Sequence, residues 1–475
     1  MIRPTVLVLL LIVVSLSGCA GPDLGAPAPA PAGRDDRTVD EASAGGPEEQ
    51  AAAAEGSVPA EGPPANDTAA PGASAPASRL PTTVVAIFEL PNVYHHDLRR
   101  PNWTAHPSTY IPGYPEDAVP LNLTLDAGSF EEAVEADRAV WDHLEANVLY
   151  YVPGTALLGF YTPAEPGQPW TIGQHGTGVA GNIAGVRGAN PDTGLVFVGR
   201  AAGELDAWEW IHANTWIDIT SSSHGYVPIE PFLGATNHGV RDFAERGGLA
   251  VFAVPNQGQI ACLSLPSWAC DRAGAPWVVS VGRVDDPTET PVFIDGRGPL
   301  DIASVSAPCP TLSLQEHDED CIGTSYAAPF LAGKASALLD EVRAEWGWNP
   351  CPPPELACTD GDTPDDGPLA DGRLERDELL EVLYAVAKEG VREINIDAYT
   401  DTYTDQGWGY LDADAYGHAS QVLWGEAPAP DRPAFIREWW ERHEAFARLY
   451  WESQQPGAEA LREALDRVDD EVPPE

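Results

Sequence analysis

The sequence predicts an α/β fold of three layers, in which a mostly parallel central sheet has helices on both faces. Aliphatic runs at residues 194–199, 217–222, 249–255 and 277–282 alternate with helix-like segments such as 236–246. Runs that are apolar throughout are typical of parallel strands buried on both sides. The chain has 475 residues, 43% of them hydrophobic, so it is long enough to bury a large core.

The N-terminus has the pattern of an export signal. Arg3 precedes an apolar run at residues 6–14, and Leu-Ser-Gly-Cys follows at 16–19. This tetrapeptide resembles the lipobox of lipoproteins, so we expect residues 1–19 to be a signal peptide and Cys19 to carry the lipid. A plain signal peptide and an uncleaved anchor are the alternatives. The expected location is the extracellular face of the cell membrane, or the medium after secretion.

The rest of the chain divides by composition. Residues 20–78 are mainly Ala, Pro, Gly and acidic residues, which cannot bury enough apolar surface to fold, so we expect a disordered tether. Residues 79–425 form the predicted folded domain, with an acidic loop inserted at 351–371. Aromatic residues recur at helical spacing in the tail, which predicts a helical C-terminal extension over 426–475.

The charge of the chain is strongly negative, with a formal net charge of −47 at pH 7. This excludes a nucleic-acid-binding surface as the default, and we expect a monomer. Lys334 and Lys388 are the only lysines. Few lysines among many carboxylates indicate a high-salt habitat or a GC-rich genome, because salt screens the repulsion between carboxylates.

Six cysteines remain once Cys19 is set aside, and they fall into three close pairs. Six cysteines allow 15 pairings. The spacing favours local disulfides, which persist outside the cytosol, and no Cys-x-x-Cys metal motif is present. The expected bridges are Cys262–Cys270, Cys309–Cys321 and Cys351–Cys358.

Two segments indicate nucleophilic catalysis. Ser325 lies in Gly-Thr-Ser-Tyr-Ala-Ala-Pro at the start of a helix-like run, and His175 opens a second run of small residues. A serine hydroxyl attacks a carbonyl only when a nearby base takes its proton, and histidine is the commonest such base. At a helix N-terminus the backbone N–H of Ser325 can also stabilise an oxyanion.

These segments resemble the histidine and serine signatures of the subtilisin-like serine peptidases, in the family's order of acid, histidine and serine. The resemblance covers about residues 79–425 and implies the three-layer fold of that family. It implies that Asn256 donates its amide to the oxyanion hole. Residues 218–225 are similar to the strand beside the substrate, which implies substrate-binding roles for Ser223 and Gly225.

The orienting acid differs from the family. The predicted strand at residues 83–89 ends in Glu89 where the family has aspartate, so Glu89 is the positional match for the acid that orients His175. The rival acid is Asp97, which we expect to be a surface residue. Pro255 replaces a usual glycine, and Gly178 stands where many members have histidine.

The resemblance implies a serine endopeptidase that cleaves polypeptides through a Ser-His-acid triad and an acyl-enzyme, with no cofactor required. A structural calcium ion near residues 371–378 is an open alternative to a solvated acidic loop. The alternative function is a catalytically impaired binding or scaffold protein of the same fold, because Glu89 replaces aspartate. An α/β-hydrolase esterase is disfavoured because Ser325 lacks the Gly-x-Ser-x-Gly motif.

Overall fold

The computed structural model describes residues 79–163, 172–199, 204–223, 232–254, 275–284, 293–295, 301–319, 321, 323–347, 374, 376–388 and 408–430. The predictions for the signal peptide, the tether, the acidic loop at 351–371 and the extension from residue 431 onward lie outside these residues. Within the described residues no helix is long and apolar enough to cross a membrane.

Eleven of the described strands form one sheet, in the order β13-β10-β8-β7-β6-β1-β5-β4-β3-β2, with β9 paired to β8. These strands are β1 (Val84–Ile87), β2 (Val119–Pro120), β3 (Tyr150–Tyr151), β4 (Leu157–Tyr161), β5 (Gly194–Val198), β6 (Ile219–Ser222), β7 (Leu249–Ala253), β8 (Val279–Val284), β9 (Phe293–Asp295), β10 (Ile302–Ser304) and β13 (Tyr410–Leu411). Most neighbours pair in parallel; among the described strands of this sheet only β3–β4 and β8–β9 are antiparallel. The predicted mostly parallel sheet is confirmed.

Both faces of the central part of the sheet are covered. Every residue of β1, β5, β6, β7 and β8 is buried. Because successive side chains of a strand point to opposite faces, burial of all of them requires packing on both sides. The continuous aliphatic runs therefore identified these strands correctly, although β8 begins two residues later than the run at 277–282 suggests. The α/β class is confirmed.

The described helices are α1 (Phe130–Ala136), α2 (Arg138–Asp142), α3 (Gln174–Ala184), α4 (Glu204–Ala213), α5 (Phe232–Glu245), α6 (Thr324–Trp346), α7 (Arg376–Val386) and α8 (Ala413–Leu423). Short 3₁₀ helices span His96–Leu98 and Pro107–Thr109. Helix α6 packs against β6, β7, β8 and β10 and also against α3. The two helices that carry His175 and Ser325 are therefore direct neighbours.

The long segment between β1 and α3 extends the sheet. Its strands β4, β3 and β2 continue the sheet beyond β5, and its large side chains Tyr94, Trp103 and Trp141 join the core. The sequence indicated only an insertion here, because strands of two residues, such as β2 and β3, are too short to show a hydrophobic period.

A small antiparallel hairpin lies directly before α6. Its strands are β11 (Cys309–Pro310) and β12 (His317–Asp318). We call residues 309–321 the clamp loop, because its contacts reach both α3 and the 3₁₀ helix at His96–Leu98. Pro310 packs so closely on Gly181 of α3 that a Cβ at 181 would lie 2.2 Å from the proline ring.

Candidate active site

The site lies at the carboxyl edge of the parallel strands, where ligand sites of open α/β sheets are usually found. Glu89 follows the end of β1, Ser223 follows β6, and Val254 follows β7. The hydroxyl of Thr324 donates to the carbonyl of Val254 at 2.6 Å, which fastens the first turn of α6 to this edge. Ser325 is thereby held beside the ends of the strands.

Glu89 and His175 are directly hydrogen-bonded. Nδ1 of His175 lies 2.7 Å from Oε2 of Glu89. An ionised carboxylate can only accept, so Nδ1–H is the donor and Nε2 is the basic nitrogen of the neutral ring. The Glu89 side chain is 19% exposed and that of His175 is 40% exposed, so the acid lies deeper than the base.

A glycine makes this approach possible. A Cβ at Gly176 would lie 2.8 Å from the Cβ of Glu89 and 3.0 Å from the carbonyl oxygen of Leu90. Any larger side chain at 176 would therefore push the segment that carries Glu89 away from the first turn of α3. The glycine after His175 sets the distance between the acid and the base.

His175 is the second residue of α3, and the residue before it anchors this helix end. The Gln174 side chain accepts a hydrogen bond from the backbone N–H of Leu312 at 2.8 Å. Its amide also donates to the carbonyl of Pro310 at 3.4 Å. The clamp loop thus holds the backbone next to His175.

Ser325 is the second residue of α6, and Gly323 is the residue that caps the helix. Gly323 has φ +133° and ψ 157°, a conformation that side-chain-bearing residues rarely adopt. The first N–H groups of a helix have no partner inside it, and the helix dipole makes this end positive. Ser325 is partly exposed, so its hydroxyl lies at such an end within reach of solvent.

Ser223 and Ser325 bind each other through their side chains and backbones. The Ser223 hydroxyl donates to the Ser325 carbonyl at 2.7 Å, and the Ser325 hydroxyl donates to the Ser223 carbonyl at 3.2 Å. The structure thus places Ser223 beside the predicted nucleophile. Gly225 and Asn256, the other predicted substrate and oxyanion residues, lie outside the described residues.

Asp97 is not a surface residue, and that prediction is wrong. Its Oδ2 lies 2.8 Å from Nε2 of His317, and both side chains are largely buried. The carboxylate that is hydrogen-bonded to His175 is that of Glu89. The buried pair instead joins the 3₁₀ helix at His96–Leu98 to the clamp loop. His317 lies 220 residues after Asp97, so the local sequence around Asp97 could not predict this contact.

The predicted disulfide Cys309–Cys321 is present, with its Cα atoms 5.5 Å apart. It closes the clamp loop just ahead of Ser325. The amide of Asn182 in α3 lies 3.2 Å from Sγ of Cys309. The bridge therefore also contacts the helix that carries His175. The other predicted bridges, Cys262–Cys270 and Cys351–Cys358, lie outside the described residues.

Three residues at the site escaped the sequence analysis: Gln174, Gly176 and Tyr326. The ring of Tyr326 lies against the imidazole of His175, with centroids 5.4 Å apart and planes tilted by 48°. Their positions in the sequence could have indicated them, because each of the three is next to His175 or Ser325. Among the described residues, no group of three or more His, Cys, Asp or Glu is arranged to hold a metal ion.

The arrangement combines a carboxylate, an imidazole and a serine hydroxyl on neighbouring elements. The carboxylate fixes the imidazole tautomer and stabilises the imidazolium that forms when the ring takes a proton. A helix N-terminus beside the hydroxyl supplies positive potential for a developing negative charge. Such a site can support acyl transfer to serine.

No protein-family model matches the chain, and no curated protein matches it significantly. Solved structures similar to it are proteases, and one of them is a subtilisin-like serine proteinase. The patellamide maturation protease PatA is 18% identical, over 73% of this chain and 98% of that chain, with a TM-score of 0.39. The prenylagaramide maturation protease PagA is 16% identical, over 72% and 94%, with a TM-score of 0.39.

A cold adapted subtilisin-like serine proteinase is 15% identical, over 66% of this chain and 85% of that chain, with a TM-score of 0.37. Identities and TM-scores this low carry no argument about activity. The case for a function therefore rests on the residues of the site.

Proposed function

We propose that this chain is a serine endopeptidase of the subtilisin-like type. The observation that carries the proposal is the hydrogen bond of 2.7 Å between His175 Nδ1 and Glu89 Oε2. The glutamate that replaces the family's aspartate is thus close enough to orient the base. This argues against the alternative of a catalytically impaired binding protein, because that alternative assumes that Glu89 cannot orient His175.

In the proposed mechanism His175 accepts the proton of Ser325 at Nε2 while the serine oxygen attacks a peptide carbonyl. For this step the Ser325 hydroxyl turns from the carbonyl of Ser223, to which it donates at 3.2 Å, toward the imidazole. The Ser325 N–H and the Asn256 amide then hold the oxyanion. His175 returns the proton to the leaving amine, and water hydrolyses the acyl-enzyme.

We further propose that the protein is exported, is held at the membrane by lipid on Cys19 and acts there on polypeptides as a monomer. The lipobox-like segment at residues 16–19 supports the anchor, and the Cys309–Cys321 disulfide fits an oxidising location. Replacement Cys19→Ser is expected to release the protein from the membrane fraction. Retention of that variant in the pellet would contradict lipid anchoring.

The activity is tested by labelling the full-length protein with a fluorophosphonate, which reacts with activated serines. Wild type is compared with Ser325→Ala and with the control Ser313→Ala, an exposed serine of the clamp loop. We expect labelling of wild type and the control and none of Ser325→Ala. Because the chain is acidic, the assay is run at low and at high salt.

Two results would overturn the proposal. A folded wild type that stays unlabelled at both salt concentrations would indicate a binding protein. Equal labelling of wild type and Ser325→Ala would place the reactive serine elsewhere. Digestion of casein by wild type and not by Ser325→Ala would extend the result from an activated serine to peptide-bond cleavage.

A further inference from the structure

The contact between Tyr326 and His175 gives the imidazole a second neighbour besides Glu89. The centroids of the two rings are 5.4 Å apart, and Nδ1 of His175 lies 2.7 Å from Oε2 of Glu89. Tyr326 directly follows Ser325 in the first turn of α6. The residue next to the proposed nucleophile therefore places its aromatic ring beside the base.

Gly178 provides the space for this ring. It lies three residues after His175 in α3, and residues at this spacing share one face of a helix. A Cβ at 178 would lie 2.7 Å from Cε1 of Tyr326 and 3.0 Å from Sγ of Cys309. A side chain at 178 would force the Tyr326 ring away from its position beside the imidazole.

The Tyr326 hydroxyl stays protonated at neutral pH. Burial raises the pKa of Tyr326 above its ordinary value, and the carboxylates of Glu89 and Asp318 raise it further. The ring is therefore a neutral aromatic group beside a histidine that becomes cationic during the reaction. Aromatic rings attract adjacent cations, so the contact becomes more favourable once the imidazole has taken the proton.

We propose that Tyr326 is a positioning residue for His175, and that the absence of a side chain at Gly178 admits its ring. This inference rests on the proposed peptidase function. The ring limits rotation of the imidazole, so that Nδ1 stays on Glu89 while Nε2 keeps one orientation. The important part of Tyr326 is its ring, because the contact with His175 is made by the ring.

The test measures fluorophosphonate inactivation of the full-length protein, with the maximal rate kinact separated from the half-saturating concentration KI. The variants are Tyr326→Phe, Tyr326→Leu, Gly178→Ala and the double variant Gly178→Ala with Tyr326→Leu. Tyr326→Phe is expected to keep the wild-type rate. Tyr326→Leu and Gly178→Ala are each expected to lose about tenfold in kinact with KI unchanged, since small misplacements of catalytic groups are costly.

The double variant tests the link between the two positions. Once the ring is absent, Gly178→Ala is expected to cost much less than in wild type, and a melting temperature for each variant shows that it is folded. Full additivity of the two changes would overturn the role of Gly178. A wild-type kinact in Tyr326→Leu, or an equal loss in Tyr326→Phe, would overturn the role of the ring while leaving the peptidase intact. An unlabelled wild type would instead overturn the proposed function, and this inference with it.

Discussion

Asp97 and His317 form a buried pair, with Oδ2 of the aspartate 2.8 Å from Nε2 of the histidine. The pair lies apart from the hydrogen bond between Glu89 and His175, although both consist of a carboxylate and an imidazole. One joins the clamp loop to the segment after β1, and the other forms the proposed catalytic acid and base. The two pairs therefore predict opposite patterns of damage when their acids are changed.

Asp97→Asn is expected to lower the free energy of unfolding by ~1–3 kcal/mol, because it weakens a buried hydrogen bond to His317. Its rate of fluorophosphonate labelling well below the melting temperature should stay near that of wild type. Urea unfolding measures the stability, and labelling at room temperature measures the activity of the serine. A large loss of labelling with unchanged stability would mean that Asp97 acts in the reaction.

Glu89→Gln is expected to do the reverse. A neutral amide cannot stabilise the imidazolium and can hold the wrong tautomer, a change that costs about 10⁴-fold in kcat in a Ser-His-Asp triad. Labelling should fall steeply while the melting temperature changes little. Glu131→Gln, on the exposed surface of α1, is the control. Equal labelling of both variants would remove Glu89 from the proposed triad.

Gly176→Ala is expected to reduce labelling by about 10–100-fold, because its Cβ would displace Glu89 from His175. Alanine is normally a better helix residue than glycine, so propensity alone predicts stabilisation. Gly417→Ala in α8 is the matched control, since a Cβ there meets nothing within 4 Å. Labelling of Gly176→Ala at the rate of the control would contradict the spacing argument.

Removal of the Cys309–Cys321 disulfide should destabilise the clamp loop. A disulfide that closes a loop of about this length raises the free energy of unfolding by roughly 3 kcal/mol. We expect Cys309→Ser with Cys321→Ser to lower the melting temperature and also to slow labelling, because the loop holds Gln174 beside His175. Unchanged labelling in the folded double variant would show that Gln174 holds α3 without the bridge.

Acid should destabilise the protein partly through His95. Burial lowers the pKa of His95 below its ordinary value of 6.5. The unfolded chain therefore takes up a proton at pH values where the folded chain does not, and the free energy of unfolding falls as the pH drops below about 6.5. Unfolding by urea at several pH values should show a steeper fall for wild type than for His95→Gln. Parallel curves for the two proteins would contradict this assignment.

Local pattern was enough to predict the central strands of the sheet and the start of the helix that carries Ser325. Continuous aliphatic runs predicted β5, β6 and β7, and the small residues around Ser325 predicted the start of α6. The burial of Asp97 could not be predicted, because its neighbours His95, His96, Arg99 and Arg100 are polar and its partner His317 is remote. The same reason hid the fit between Gly178 and Tyr326, which depends on how α3 packs against α6.

The order of strands also bears on how fast this protein can fold. β1 is the first described strand of the chain, yet its two neighbours in the sheet are formed by residues far downstream, with Val84 paired to Gly194 and Val85 to Ile219. Such pairing gives a high contact order. Chains of this kind fold slowly, because distant segments must be brought together, at a cost in conformational entropy, before the stabilising contacts between them form. The segment that ends in Glu89 therefore gains its first neighbour in the sheet only from residues more than a hundred positions downstream.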